Sequence, residues 1–240
     1  MGRDRFERFC FEAGFKLERK RSFRRTTDSR GVTRFDNLLL DFELTGINQV
    51  YTSDITYYEM RDRFYYLTFI VDLWSRLIVG YAASDNLLTE HTTLPALQMA
   101  LTKRRPRPGL IFHSDGGGQY YCKQFLSLTR AHQIQNSMCQ SVYENAHAER
   151  LNGTIKNDYL AGYHPQTFTE LKTMLGKAVE MYNHQRPHTA LKNMTPAAFE
   201  SLLTESAVVH KRKKEAKKEK DNNRNHKFTS SLKTVNAIQA

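Results

Sequence analysis

Gln49-Val-Tyr-Thr-Ser-Asp-Ile-Thr56 is a short run rich in β-branched and aromatic residues. Phe64-Tyr-Tyr-Leu-Thr-Phe-Ile-Val71 and Leu77-Ile-Val-Gly-Tyr-Ala82 follow it across compact turns. Such runs, bounded by polar turn residues, read as strands. Three in succession predict an antiparallel meander. Beyond Ala82 the pattern changes. Residues 87–103 read as a helix, Leu110-Ile-Phe-His-Ser114 as a buried strand, 119–132 as a helix with Phe125 and Leu128 inward, and Ile134 to Met138 as a fifth strand. Strands first in series and then alternating with helices predict an α/β fold: a mixed five-stranded sheet flanked by helices, its first three strands antiparallel.

Working outward, residues 144–160 and 168–185 carry helical patterns, and residues 3–16 place Phe6, Phe9, Cys10 and Ala13 at helical spacing. Basic runs from Lys16 to Arg25 and from Lys211 to Lys220 border this middle. The expected organisation is an N-terminal helix and basic linker over 1–45, a catalytic core over 46–205, and a basic tail over 206–240. The chain has 240 residues, 40% of them apolar, and a net charge of +11. Residues 1–36 hold eleven Lys or Arg against six acids, and residues 211–227 hold nine against three, so the rest of the chain sums to zero. A neutral middle with basic ends suits a polyanionic partner bound through its phosphates with salt-dependent affinity. Cys10, Cys122 and Cys139 are too few and too scattered for a disulfide framework or a zinc ribbon, which points to a reducing compartment. The charged start and the absence of a long apolar run argue against secretion and membrane insertion.

Asp54 interrupts an otherwise apolar strand, where an unpaired carboxylate is costly and a cation is the natural remedy. Asp115 closes the strand Leu110-Ile-Phe-His-Ser-Asp115 and opens Gly116-Gly-Gly-Gln-Tyr120, at a carboxyl strand end where α/β sites form. Taken alone, Asp115 reads equally well as a helix N-cap. In the helix from 144, Asn145, Glu149, Asn152 and Lys156 share one face, while Ala148, Leu151, Ile155 and Tyr159 form the opposite, apolar one. That arrangement brings a third carboxylate toward the two strand aspartates. Three carboxylates suit two Mg²⁺ ions about 3.5 to 4 Å apart, one activating a water or 3′-hydroxyl and the other stabilising the leaving oxygen.

These residues sit in four landmarks: Asn48-Gln-Val-Tyr-Thr-Ser-Asp-Ile-Thr56, His113-Ser-Asp-Gly-Gly-Gly-Gln-Tyr120, Tyr143-Glu-Asn-Ala-His-Ala-Glu-Arg-Leu-Asn-Gly153 and Tyr182-Asn-His-Gln-Arg-Pro-His-Thr-Ala-Leu191. Over residues 2 to 205 the chain resembles the D,D,E transposases and retroviral integrases, and above all the second-frame catalytic proteins of the insertion sequence three family. The resemblance implies a ribonuclease H-like fold, two Mg²⁺ or Mn²⁺ ions, cleavage of DNA at element ends and joining to target DNA by transesterification. It assigns catalysis and metal binding to Asp54, Asp115 and Glu149. Lys156 looks like the family's basic residue near the active site, and Asn152, Arg150, Arg186 and His188 are further expected DNA contacts. For Arg186 and His188, capping of the core is an equal reading. The implied partners are DNA, further copies of the chain and a first-frame helix-turn-helix protein. The implied location is the bacterial cytoplasm, at the nucleoid when DNA is bound.

Three departures from the family pattern stand out. Thirty-three residues separate Asp115 from Glu149, a shorter spacing than the family's usual one, with the shortfall between Met138 and Tyr143. Tyr51 stands where many relatives have Trp. Relatives also carry more sequence before Met1, so the chain reads as a truncated copy. The alternatives are a decayed, catalytically weak DNA-binding remnant and a ribonuclease H-like nuclease. Other residues read structurally. Asp72, at a strand end before a turn, satisfies backbone amides or pairs with a nearby Arg rather than serving as a fourth metal ligand. His113 and Ser114 support or pack against the site. His147-Ala-Glu-Arg150, with Tyr159 and Tyr163, matches a tyrosine-recombinase pattern that leaves Asp54 and Asp115 unexplained. His184 and His188 lack the further ligands a zinc site needs.

Overall fold

The computed structural model describes residues 2–15, 35–139 and 146–204. The chain divides into two compact units, Met1–Arg30 and Gly31–Ala240. In the first, helix α1 spans Arg3–Glu12, with Phe6 and Phe9 exposed. The basic runs at Lys16–Arg25 and Lys211–Lys220 lie outside the described residues.

The second unit is built on the expected meander. Strands β1 (Val50–Met60), β2 (Arg63–Asp72) and β3 (Ile78–Ser84) pair antiparallel in sequence, and β4 (Ile111–Ser114) and β5 (Gln135–Met138) add in parallel on the far side of β1. The sheet order is β3-β2-β1-β4-β5. Between β1 and β2 the chain reverses through Arg61 and Asp62, both at positive φ (51° and 56°). Two left-handed residues give the turn the twist that a tight hairpin requires. The Arg61 guanidinium is tied down there by Gln166 Oε1, at 3.1 and 2.9 Å.

Alternation along the strands supplies a core on each face. Leu67, Phe69, Val71 and Ile78 pack with Leu151, Ile155, Leu171, Leu175 and Tyr182 from the helices after β5. Tyr51, Ile70 and Val79 pack with Leu97, Leu101, Phe112, Tyr120 and Phe125 on the other face. The helices are α2 (Thr93–Arg104) and α3 (Lys123–Ala131) on the second face, and α4 (Ala146–Thr154), α5 (Ala161–Tyr163) and α6 (Phe168–Gln185) after β5. A final helix covers 196–204.

Two helices depart from expectation. α2 starts at Thr93 rather than 87, because side chains occupy the backbone before it: Asn86 N donates to Ser84 Oγ (3.1 Å) and Leu88 N to Asn86 Oδ1 (3.0 Å). Such local bonds compete with helix formation. The helix predicted over 144–160 runs as α4 and then as a π-helical turn over Ile155–Leu160. Residues 140–145, which hold the shortened loop and Asn145, lie outside the described residues.

α2 crosses β3 at Gly80, where a Cβ would lie 2.2 Å from the Ala96 carbonyl oxygen and 3.1 Å from Ala100 Cβ. Backbone cannot yield as a flexible side chain can. Gly80→Ala is therefore expected to destabilise the protein by about 2 kcal/mol, the scale of core overpacking, as read by urea denaturation. A change within experimental error would show that α2 shifts freely on the sheet.

Candidate active site

Asp54 faces Phe69 across the antiparallel ladder, and on its other side the parallel register Ser53↔Ser114 sets Asp115 just beyond the end of β4. The two aspartates thus emerge side by side on adjacent strands, which in sheets run about 4.8 Å apart. Successive side chains alternate between faces. Ser53 points to the α2 and α3 side, where its hydroxyl donates to Phe69 O (2.8 Å) and meets Tyr120 Oη (2.9 Å). Asp54 points to α4, where Asn152 Nδ2 donates to its Oδ2 at 2.7 Å and its own chain's Ile55 N–H reaches Oδ1 at 2.9 Å.

Asp115 is held by the loop it opens. Gly117 N donates to its Oδ1 at 3.1 Å, and Tyr121 Oη donates to its carbonyl at 3.0 Å. A Cβ on Gly117 would lie 3.0 Å from that same Oδ1, so the glycine run gives the carboxylate room as well as a donor. Thr93 Oγ1 donates to Gln119 O at 3.1 Å and anchors the loop on α2.

Glu149 projects from the first turn of α4 and is exposed, while Ala148 and Leu151 beside it are buried as the helix-face pattern predicts. Burial, then the charge of Asp115 and more weakly that of Glu149, push Asp54 up to about 7, against the opposing bonds from Ile55 and Asn152. The three acids therefore share one electrostatic neighbourhood. Among the described residues, no group of three or more His, Cys, Asp or Glu is drawn close enough to hold a metal ion.

The remaining expected contacts separate. Asn152 is buried against Asp54 rather than turned outward, and its Oδ1 has no partner. Lys156 lies in the π-helical turn, where Nζ donates to Tyr57 O (3.3 Å), three residues along β1 from Asp54. Arg150 is exposed on α4. Arg186 pairs with Asp158 at 2.8 Å, and the His188 ring packs edge-on to Tyr182 at 5.1 Å. The terminal signature is also structural: Asn183 brackets the edge-strand residue Ile78, donating to its carbonyl (3.0 Å) and accepting from its N–H (2.9 Å). Asp72 accepts from the backbone N–H groups of Asn48, Trp74 and Ser75. His113 Nδ1 meets Ser137 Oγ in the core. No local pattern announced the Asn183 bracket or the half-buried pairing of Arg104 with Glu200 at 2.6 Å, because each joins residues about a hundred apart.

Two models of the integrase core domain match the chain, over residues 45–143 and 130–196. The fold is also that of solved integrase cores. The catalytic core domain of HTLV-2 integrase, solved with magnesium in a trimeric form, aligns with a TM-score of 0.52 at 22% identity over 63% of this chain and 95% of that one. A simian T-cell lymphotropic virus intasome, in complex with PP2A regulatory subunit B56 gamma, aligns at 0.55 with 18% identity, over 70% of this chain and 57% of that one. Sheet, flanking helices and matched domain define an integrase-type, ribonuclease H-like polynucleotidyl transferase core. Among curated proteins, the insertion element IS600 uncharacterized 31 kDa protein of Shigella sonnei is 37% identical over 213 residues, covering 87% of this chain and 78% of that protein. Transposase InsF for insertion sequence IS3A of Escherichia coli strain K12 is 31% identical over 177 residues, 72% of this chain, which spans 61% of InsF. The chain belongs to the insertion sequence three family of DNA transposases. No described helix is long and apolar enough to cross a membrane.

Proposed function

We propose that this chain carries the catalytic centre of DNA transposition, with Asp54, Asp115 and Glu149 as the carboxylates that hold two divalent cations, Mg²⁺ or Mn²⁺. The observation that carries the reading is Asp54: a carboxylate inside the sheet, raised to about 7 by burial and by two acidic neighbours, with only an amide and one backbone N–H to offset the charge. An all-oxygen acidic donor set fits a hard divalent cation. The HTLV-2 core was solved in complex with magnesium, which agrees with that choice. Bound ions would activate the attacking oxygen and neutralise the leaving one.

The chain's own residues prepare this chemistry. Asn152 fixes one oxygen of Asp54, Gly117 and Tyr121 fix Asp115, and α4 presents Glu149 from a helix anchored by Ala148 and Leu151. In the cleavage step water attacks the phosphodiester at the element end and a 3′-oxygen leaves. In the joining step that 3′-hydroxyl attacks a target phosphodiester, whose own 3′-oxygen leaves. No protein nucleophile takes part. The core over 46–205 does the chemistry, and the basic segments within 1–45 and 206–240 add sequence-blind affinity. Joining two ends calls for more than one copy, and a first-frame helix-turn-helix protein of the same element would recognise the ends.

The test is strand cleavage of duplex DNA bearing the element ends, with Mg²⁺, with Mn²⁺ and with EDTA. Nicking is expected with either metal and none in EDTA. Metal-independent cleavage would overturn the proposal.

A further inference from the structure

Asp115 follows a strand only four residues long, Ile111–Ser114, and three glycines come directly after it. On one side of β4 lies β1, and on the other β5, an edge strand of the sheet. The segment that enters the core before β1 binds along β5. Met138 N donates to Asp36 O at 3.4 Å, and Leu38 N donates to Ser137 Oγ at 3.0 Å. Ser137 Oγ in turn meets His113 Nδ1 at 2.9 Å, two residues before Asp115 in the chain. On the side of α2 and α3, the Phe35 ring stacks on Tyr121, with centroids 5.3 Å apart and an angle of 24° between the planes. Tyr121 is buried, meets Ser114 Oγ at 3.2 Å and donates from the same hydroxyl to the Asp115 carbonyl. Two chains of contact thus run from residues 35–38 to the strand end that carries Asp115.

We infer that Phe35 and Tyr121 are positioning residues for the metal centre: the Phe35 ring orients Tyr121, whose hydroxyl fixes the main chain of Asp115 and so aims its carboxylate toward Asp54. The inference rests on the proposed role of Asp115 as a cation ligand. Glycines after Asp115 give its loop a backbone freedom that other residues would not. A cation site needs its ligands fixed before the ion arrives, and the partners that orient a metal ligand are worth about tenfold or more in metal affinity. A ring held between a stacked Phe and a packed core keeps one orientation, so a single hydrogen bond from Tyr121 suffices to set the position of a backbone atom. The segment before β1 supplies no ligand, yet it belongs to the site.

The test is Mn²⁺ binding to the full chain without DNA, read from the electron paramagnetic resonance signal of free Mn²⁺, with a thermal melt of each protein. Wild type is compared with Tyr121→Phe, Phe35→Leu, the double variant, Phe35→Tyr and Asp115→Asn. Tyr121→Phe removes one oxygen and is expected to weaken Mn²⁺ binding about tenfold. Phe35→Leu keeps apolar bulk but loses the stack, and is expected to weaken binding about threefold, the scale of an aromatic pair. The double variant should bind as Tyr121→Phe does, because Phe35 acts through the hydroxyl already lost. Phe35→Tyr keeps the stacked ring and should bind as wild type does. Phe35 is half-buried, so its two variants keep the test alive if Tyr121→Phe fails to fold. Unchanged Mn²⁺ affinity in the folded variants, or losses that multiply in the double variant, would overturn the inference. If Asp115→Asn binds Mn²⁺ as tightly as wild type, the proposed function fails. If it loses binding while Phe35→Leu and Tyr121→Phe keep it, only the positioning role does.

Discussion

Asp115→Asn is expected to reduce strand cleavage by at least about a thousandfold, some 4 kcal/mol on the barrier, while leaving the fold unchanged. Asn keeps the shape of Asp and an oxygen at Oδ1, so the Gly117 N–H retains its acceptor, and Tyr121 still reaches the main-chain carbonyl. What disappears is the negative charge that stands beside Asp54 and that the proposed cations require. Single-turnover cleavage in Mg²⁺ reads the chemistry, and a thermal melt checks the fold. Equal residual activity in the variant and wild type would remove Asp115 from the mechanism. A loss of activity accompanied by an equal loss of folded protein would make the residue structural.

The second large effect concerns Asp72. Its carboxylate is fully buried and accepts from Asn48 N at 2.6 Å, Trp74 N at 2.9 Å and Ser75 N at 3.1 Å. Burial raises its pKa and these three bonds lower it. Asp72→Ala would orphan three backbone donors, Trp74 and Ser75 at the turn that joins β2 to β3 and Asn48 just before β1. The expected cost is about 3 kcal/mol or more, a fall in Tm of roughly 6 to 12 °C for a domain of this size. Asp72→Asn keeps one accepting oxygen and should fall between the two. Denaturant unfolding of the three proteins checks this order. A Asp72→Ala protein as stable as wild type, with weakened Mg²⁺ binding instead, would turn Asp72 from a turn residue into a metal ligand.

The sheet was readable because strands β1 to β3 carry dense β-branched and aromatic runs and Ile111–Ser114 is a short apolar segment closed by Asp115. Periodicities of this kind reflect local burial, and local burial is what a linear pattern records. The same holds for α4, whose buried Ala148 and Leu151 placed Glu149 on the opposite face. The π-helical turn over Ile155–Leu160 was not readable, since a change of winding leaves composition untouched. Nor was the late start of α2, which depends on side chains competing for backbone donors.

By itself, then, the sequence determined a mixed five-stranded sheet, the chemical type of the acidic residues and the family that uses them, because strand and helix periods and short motifs are local properties. Only the tertiary structure decided that Asn152 turns inward to Asp54, that Asn183 closes the end of β3, and that Arg104 pairs with Glu200. Each of these joins residues far apart in the chain, and their partnership depends on which faces the packed sheet and helices turn toward one another.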